Sequence, residues 1–405
     1  MEFQARIDYL ALTRLSDVGP VLMMRLLERF PDPSEIRHAS LEQLKSVPGI
    51  GPRTSARIRG IHHEVNLSAL EDEVLKLHTM GCGFVTLMDS SYPPLLRQIH
   101  DPPPVLYIKG EAATLNNLRM IGVVGSRKAT QAGIAQAGRL TRELAAEGVT
   151  TVSGMALGVD TAAHWGSLNG GGPTVGVLAT GLDVAYPRQN NTLKERTCAQ
   201  GCMITEAPLG TKPNPRLFPP RNRIISGLCH GVIIVEAANR SGSLITARTA
   251  MEQNREVLAV PGPANDPRFS GVNNLLRYGA ALVENTEDVL DAMSWKPLSN
   301  KVKPKKIRPK QPTQVHQFIE PSSVLDSEIK QTEKAPINTL KPLPSEGDAG
   351  KIIGELRGQS LPADTLARRC RLTVADLSRI LLQLEMSGMV VRLPGNCYAI
   401  HSEHS

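Results

Sequence analysis

The middle of the chain alternates short, unbroken apolar runs with amphipathic stretches. Six runs read as strands, over 120–125, 149–153, 174–180, 203–207, 231–237 and 256–260. They lack the strict apolar–polar alternation of a half-exposed strand, so both faces are expected to be covered. Between most of them lie helical patterns such as AGIAQAGRLTRELAAEG and SLITARTAMEQN. Helices between successive strands imply right-handed crossovers. The expectation for 67–293 is an α/β domain with an extended Rossmann-like, doubly wound, mostly parallel sheet. Ligands of such sheets sit outside the carboxyl ends of the strands.

The flanks have other patterns. Residues 1–66 read as short helices with two glycine turns, Leu15–Pro20 before VLMMRLLERF and Val47–Pro52 before RTSARIRG. The second resembles a helix-hairpin-helix, whose turn offers backbone N–H groups to a DNA phosphate, and Arg53, Arg57 and Arg59 follow it. The alternative is a small helical packing domain, because the first turn lacks the second glycine. Residues 294–347 open with KPLSNKVKPKKIRPKQP, which is basic, proline-bearing and free of acids, and read as a flexible linker. Residues 348–405 give three helices, the second entered through Pro362 and the third capped by Thr373, then a hairpin turning at Pro-Gly-Asn. That order matches a winged helix. Its third helix carries Asp376 and Glu385 with Arg379 as its one basic residue. Duplex binding and protein docking both stay open for this module.

Charge narrows the partner. The net charge is +7 and the pI about 9.1, a balance that favours nucleic acid, while aromatics make up 3% of the chain. The six cysteines form no CxxC pair, so neither a zinc site nor a disulfide framework is expected. No metal and no cofactor is called for, and a reducing cytoplasm fits. The first residues, MEFQARIDYLALTRL, mix charges into the apolar positions, and no run reaches membrane-spanning length, so no membrane insertion is expected.

The candidate chemistry lies in turns that follow the strand runs. These are Gly125-Ser126-Arg127, Ser153-Gly154, Gly181-Leu182-Asp183 and Ser241-Gly242-Ser243. Bare N–H groups at strand ends and helix starts bind phosphates. The first turn is neither a Walker A loop nor a G-x-G-x-x-G fingerprint. Ser126 offers a hydroxyl and Arg127 a bidentate grip. The segment from Lys212 to Arg223 adds Arg216, Phe218, Arg221, Asn222 and Arg223 among prolines that keep much of it out of helix. Phe218 is then expected on a loop, open to a stacking base. The competing reading puts Phe218 in the core and pairs Arg223 with Glu206 or Glu236.

Catalytic groups are harder to find. Asp160 and His164 stand four apart on one helix, and Glu206 and Glu236 both end strands. No activated nucleophile accompanies them. Asp160 reads as a turn brace and the glutamates as partners of arginines, so no enzyme is expected.

The ordered set GSR, SGMALGVDTAAH, GLDVAYPRQN, FPPRNRIISGL, VEAANRSGSLITA and AVPG resembles the DNA-processing protein A (DprA/Smf) family. The resemblance spans roughly 67–290, and the flanking modules agree with that family's three-part layout. It implies a single-stranded-DNA-binding recombination mediator of the cytoplasm. Such a protein protects incoming strands in natural transformation, loads the RecA recombinase and dimerises through the Rossmann-like domain. It also implies a strand site at Gly125, Ser126, Arg127, Ser153, Gly154, Lys212, Arg216, Phe218, Arg221, Asn222, Arg223, Ser241, Gly242 and Ser243. Two rivals remain: a phosphoribohydrolase-type nucleotide enzyme, disfavoured by the missing Pro-Gly-Gly-x-Gly-Thr loop, and a winged-helix duplex regulator.

Overall fold

The computed structural model describes residues 3–298, 347–357, 359–386, 389–393 and 397–400. The expected linker falls almost wholly outside these, as does the hairpin turn at 394–396. The chain forms two compact units, one with the N-terminal helices and the sheet, the other with the C-terminal module.

Nine strands make one sheet: β1 Cys82–Thr86, β2 Val105–Gly110, β3 Met120–Val124, β4 Thr150–Ser153, β5 Thr174–Val177, β6 Cys202–Thr205, β7 Gly231–Ile234, β8 Glu256–Ala259 and β9 Ala281–Leu282. Their order is β1-β2-β6-β5-β4-β3-β7-β8-β9. All pairings from β6 to β9 are parallel, while β1 with β2 and β2 with β6 are antiparallel. The sheet is doubly wound, as the strand–helix alternation implies, and all six expected strands are present.

Side chains alternate across the strands, and both faces are dry. On β3, Met120 and Val124 join one core while Ile121 and Val123 join the other. On β7, Val232 and Ile234 face the first core and Ile233 the second. That double burial is why the strands read as continuous apolar runs. Helices Phe218–Gly227 and Gly242–Glu252 cover the first face. Gln131–Ala146 and Val159–Asn169 cover the second.

The N-terminal helices sit against the antiparallel end of the sheet. Arg6 pairs with Asp89 at 2.7 Å, the Tyr9 hydroxyl donates to Pro104 O at 2.9 Å, and Arg14 donates to the Tyr107 hydroxyl at 2.7 Å. Both glycine turns lead into helices, Pro20–Arg29 and Pro52–Arg59, with Gly19 and Gly51 as N-caps. Of the three arginines after the second turn, Arg57 pairs with Asp17 and Glu64, and Arg59 donates to the carbonyls of His38 and Ala39. Arg53 stays 86% exposed.

Residues 294–298, assigned to the linker by composition, lie on the sheet domain. Trp295 meets His230 edge-on at 5.4 Å, and Leu298 N donates to Glu147 at 2.8 Å. The C-terminal module has helices Gly347–Leu356, Ala363–Cys370 and Val374–Met386. Strands β10 Leu361–Pro362, β11 Val390–Leu393 and β12 Cys397–Ile400 complete a winged helix. Thr373 caps the third helix, its hydroxyl accepting from Asp376 N at 3.1 Å.

Candidate nucleic-acid interface

The winding direction reverses at β3, which pairs with β4 on one side and β7 on the other. Such a reversal opens a crevice at the carboxyl ends of the strands. Gly125, Ser126 and Arg127 leave β3 at that point. Ser126 N donates to Glu236 O, just beyond β7, at 2.7 Å. The buried Glu236 carboxylate accepts from Thr130 N at 3.0 Å and the Thr130 hydroxyl at 2.8 Å. It therefore anchors the start of the helix after the turn, and no arginine forms an ion pair with it among the described residues.

Two of the glycines serve close packing. A Cβ on Gly125 would lie 2.6 Å from Val159 Cγ2, and one on Gly154 would lie 2.6 Å from the Arg221 guanidinium. Gly158 takes φ +81°, and a side chain there would overlap the Ser126 carbonyl. The Ser153 hydroxyl is buried and donates to Val123 O at 2.6 Å. Ser153 and Gly154, expected as open phosphate donors, are thus inside the protein. The Gly181-Leu182-Asp183 turn acts as a brace. Gly181 N donates to Thr211 O at 3.0 Å and Gly210 N to Asp183 Oδ1 at 2.8 Å, which fixes the loop leading to Lys212.

The segment after that loop departs from expectation. Asn214 caps a short turn over Pro215–Leu217, and Phe218 opens the helix Phe218–Gly227. Pro219 and Pro220 occupy the first turn of the helix, where their missing N–H groups cost nothing. The prolines start a helix here and do not exclude one. Helical periodicity then turns Arg221 inward. Arg221 is 5% exposed and donates to the carbonyls of Gly154, at 2.7 Å, and Val177. Burial pushes its pKa down to about 10, and it remains a cation at neutral pH. Arg223 pairs with Glu206 at 2.7 Å and Asp101 at 2.9 Å. Neither arginine is a free phosphate grip. Asn222 between them is half-buried.

What remains exposed is a compact ledge. The Arg127 guanidinium lies over the Phe218 ring, 5.0 Å from its centroid, and the Tyr186 ring packs against Phe218 with centroids 5.8 Å apart. Phe218 is only half-buried. Lys212 and Arg216 stand exposed on the same segment, and no ion pair engages them or Arg127 among the described residues. Ser241 caps the helix Gly242–Glu252. Its hydroxyl accepts from Ser243 N at 3.3 Å and lies 2.6 Å from the Ser243 hydroxyl. Gly242 is exposed, with nothing near the place of a Cβ.

Asp160 and His164 do not form an acid–base pair. Asp160 braces the turn after β4, accepting from Gly154 N at 3.1 Å and Ala156 N at 3.2 Å. Burial raises its pKa. His164 Nδ1 lies 2.7 Å from the Thr174 hydroxyl, and burial first, then the Arg221 charge, lowers its pKa to about 3. No cluster of metal-ligating residues occurs among the described residues, and no helix there is long and apolar enough to cross a membrane.

A doubly wound sheet with unpaired cations and an aromatic at its crevice, joined to a helical hairpin region and a winged helix, has the build of a DNA-handling protein. The sequence matches the family described as DNA recombination-mediator protein A over residues 83–294. The flanks match the DprA winged helix domain over 336–396 and the SAM-like helix-hairpin-helix tandem over 9–59. The chain belongs to the DNA recombination-mediator protein A (DprA/Smf) family. Protein Smf of Synechocystis sp. is 34% identical over 396 residues, 96% of this chain and 97% of that one. The DNA processing protein DprA of Bacillus subtilis is 41% identical over 213 residues, 53% of this chain and 72% of that one. The X-ray structure of DprA from Streptococcus pneumoniae is similar with a TM-score of 0.63 at 33% identity, covering 70% of this chain and 97% of that one.

Proposed function

We propose that the chain binds single-stranded DNA at the β3–β7 crevice, with no cofactor and no chemical step. The observation that carries this is the Arg127–Phe218–Tyr186 stack. It combines a π-face for a base with a guanidinium for a phosphate. Lys212 and Arg216 extend the charge, the Ser126, Ser241 and Ser243 hydroxyls add polar groups, and the exposed Gly242 at the helix start adds a backbone N–H. Stacking and phosphate contact together suit a strand whose bases are unpaired, and they carry no base-edge code. Family membership supports the wider role: a cytoplasmic recombination mediator that protects incoming strands in natural transformation and loads RecA, acting as a homodimer.

Titration with single- and double-stranded oligonucleotides at several salt concentrations tests the reading. Tighter single-strand binding is expected, with log affinity falling linearly in log salt. Equal or better duplex binding would move the function to the winged helix.

A further inference from the structure

A second surface begins where the ledge ends. Helices Gln131–Ala146 and Val159–Asn169 are in close contact where Gly166 meets Gly138 and Thr141, too tightly for any side chain on Gly166. Along them runs an open groove of about 520 Å³. Its upper end is Leu157 and Gly158. A Cβ on Gly158 would lie 2.8 Å from the Arg127 carbonyl, so the groove starts against the backbone of the turn that carries Arg127. Trp165 forms part of its wall, half-buried against the cluster of Met155, Leu168 and Leu178. Arg139 and Arg142 line it further along. Arg139 is held by Glu143 and the Glu284 carbonyl. Arg142 is exposed, and no hydrogen bond or ion pair engages it among the described residues. No carboxylate lines the groove.

We propose that a single strand leaving the Arg127–Phe218 ledge continues through this groove, with a base against Trp165 and a phosphate at Arg142. The inference rests on the single-strand reading of the ledge and extends it. An indole and an unpaired guanidinium lining one groove, with no carboxylate in its wall, are the chemistry that recognises single-stranded nucleic acid. The groove opens to solvent, so a strand can lie in it. Its junction with Arg127 gives the two surfaces one backbone path.

The test uses the full chain and oligothymidylates of about 4 and about 16 nucleotides, the range of single-strand site sizes of small binding domains. Arg142→Ala should weaken the long oligonucleotide several-fold and reduce its salt slope by about 0.7, the share of one phosphate. The short one, held at the ledge, should bind as before. The long oligonucleotide should also change tryptophan emission, and Trp165→Phe should abolish that change. Unaltered binding of the long oligonucleotide by Arg142→Ala would overturn the proposal, as would an emission change that persists in Trp165→Phe. A shift in oligomeric state with an unchanged salt slope would assign the groove to a second copy of the chain and overturn it equally. Failure of the ledge reading looks different: the short oligonucleotide would then bind independently of Arg127.

Discussion

The guanidinium of Arg221 donates to the carbonyl of Gly154 at 2.7 Å, and a Cβ on residue 154 would lie 2.6 Å from the same guanidinium. The same group reaches the carbonyl of Val177, so one side chain ties together the ends of β4 and β5. It sits one turn into the helix that Phe218 begins. Arg221 thereby sets where the stacking ring stands, without facing solvent itself. Replacing it with leucine should destabilise the protein by about 3–5 kcal/mol, the usual loss when one partner of a buried charged network is removed. Chemical denaturation measures this. Whatever binding the folded fraction retains should keep the wild-type salt slope.

Arg127 and Phe218 should fail differently. Arg127→Ala is expected to lower the single-strand salt slope by about 0.7 and to weaken all sequences alike. Phe218→Ala should cost about 1–3 kcal/mol of binding with the slope intact. A drop in melting temperature with affinity unchanged would mark Phe218 as a packing residue.

Arg223 is the contrasting arginine. Its ion pairs with Glu206 and Asp101 leave it 11% exposed, while the partners are 30% and 43% exposed. After allowing for screening of these partly exposed carboxylates, Arg223→Met should cost about 1–2 kcal/mol of stability. Single-strand affinity per folded molecule should not change. A lowered salt slope in this variant would instead make Arg223 a phosphate contact.

Acid should destabilise the fold through His164. The unfolded ring takes up a proton below about pH 6.5, whereas the buried ring stays neutral down to about 3. Between those values the unfolded state binds more protons, so stability falls with pH, by about 1.4 kcal/mol per unit. The contribution is complete above pH 6.5. Asp160 acts in the opposite sense, because burial raises its pKa and the folded state takes up that proton first. The difference between wild type and His164→Gln isolates the histidine. From about pH 7.5 to about pH 5 the wild type should lose about 2 kcal/mol more than the variant in denaturation midpoint measurements. Parallel losses would show that His164 is protonated in the folded protein.

The sheet was legible because its parallel strands are buried on both faces, and such strands announce themselves as apolar runs. β1, β2 and β9 were not. CGFVT is short and broken by glycine, VLYIKG follows three prolines, and β9 is two residues long. The ledge was half legible. Arg127 and Phe218 stood out by type and neighbourhood, but Tyr186, which completes the stack, lies in the separate GLDVAYPRQN motif, and nothing local tied it to Phe218. The direction of each arginine could not be read from composition. Within Arg221-Asn222-Arg223, helical geometry sends both guanidinium groups to internal partners, and only the helix start, marked by the proline pair taken for a loop signal, would have revealed it.

The reversal of winding at β3 has a consequence for the life of the chain. β1 through β6 form one contiguous block of sequence and β7 through β9 a second, and the two meet along the β3–β7 seam. Arg127 belongs to the first block, while Phe218 rides on the helix that delivers the second. During synthesis the cation therefore emerges long before the ring it will cover, and Ser126 waits for Glu236 to fix its turn. A nascent or truncated chain holds only half of the stack. Under the proposed single-strand reading, capture of a strand waits until the seam has closed, and the ability to bind reports that folding has finished.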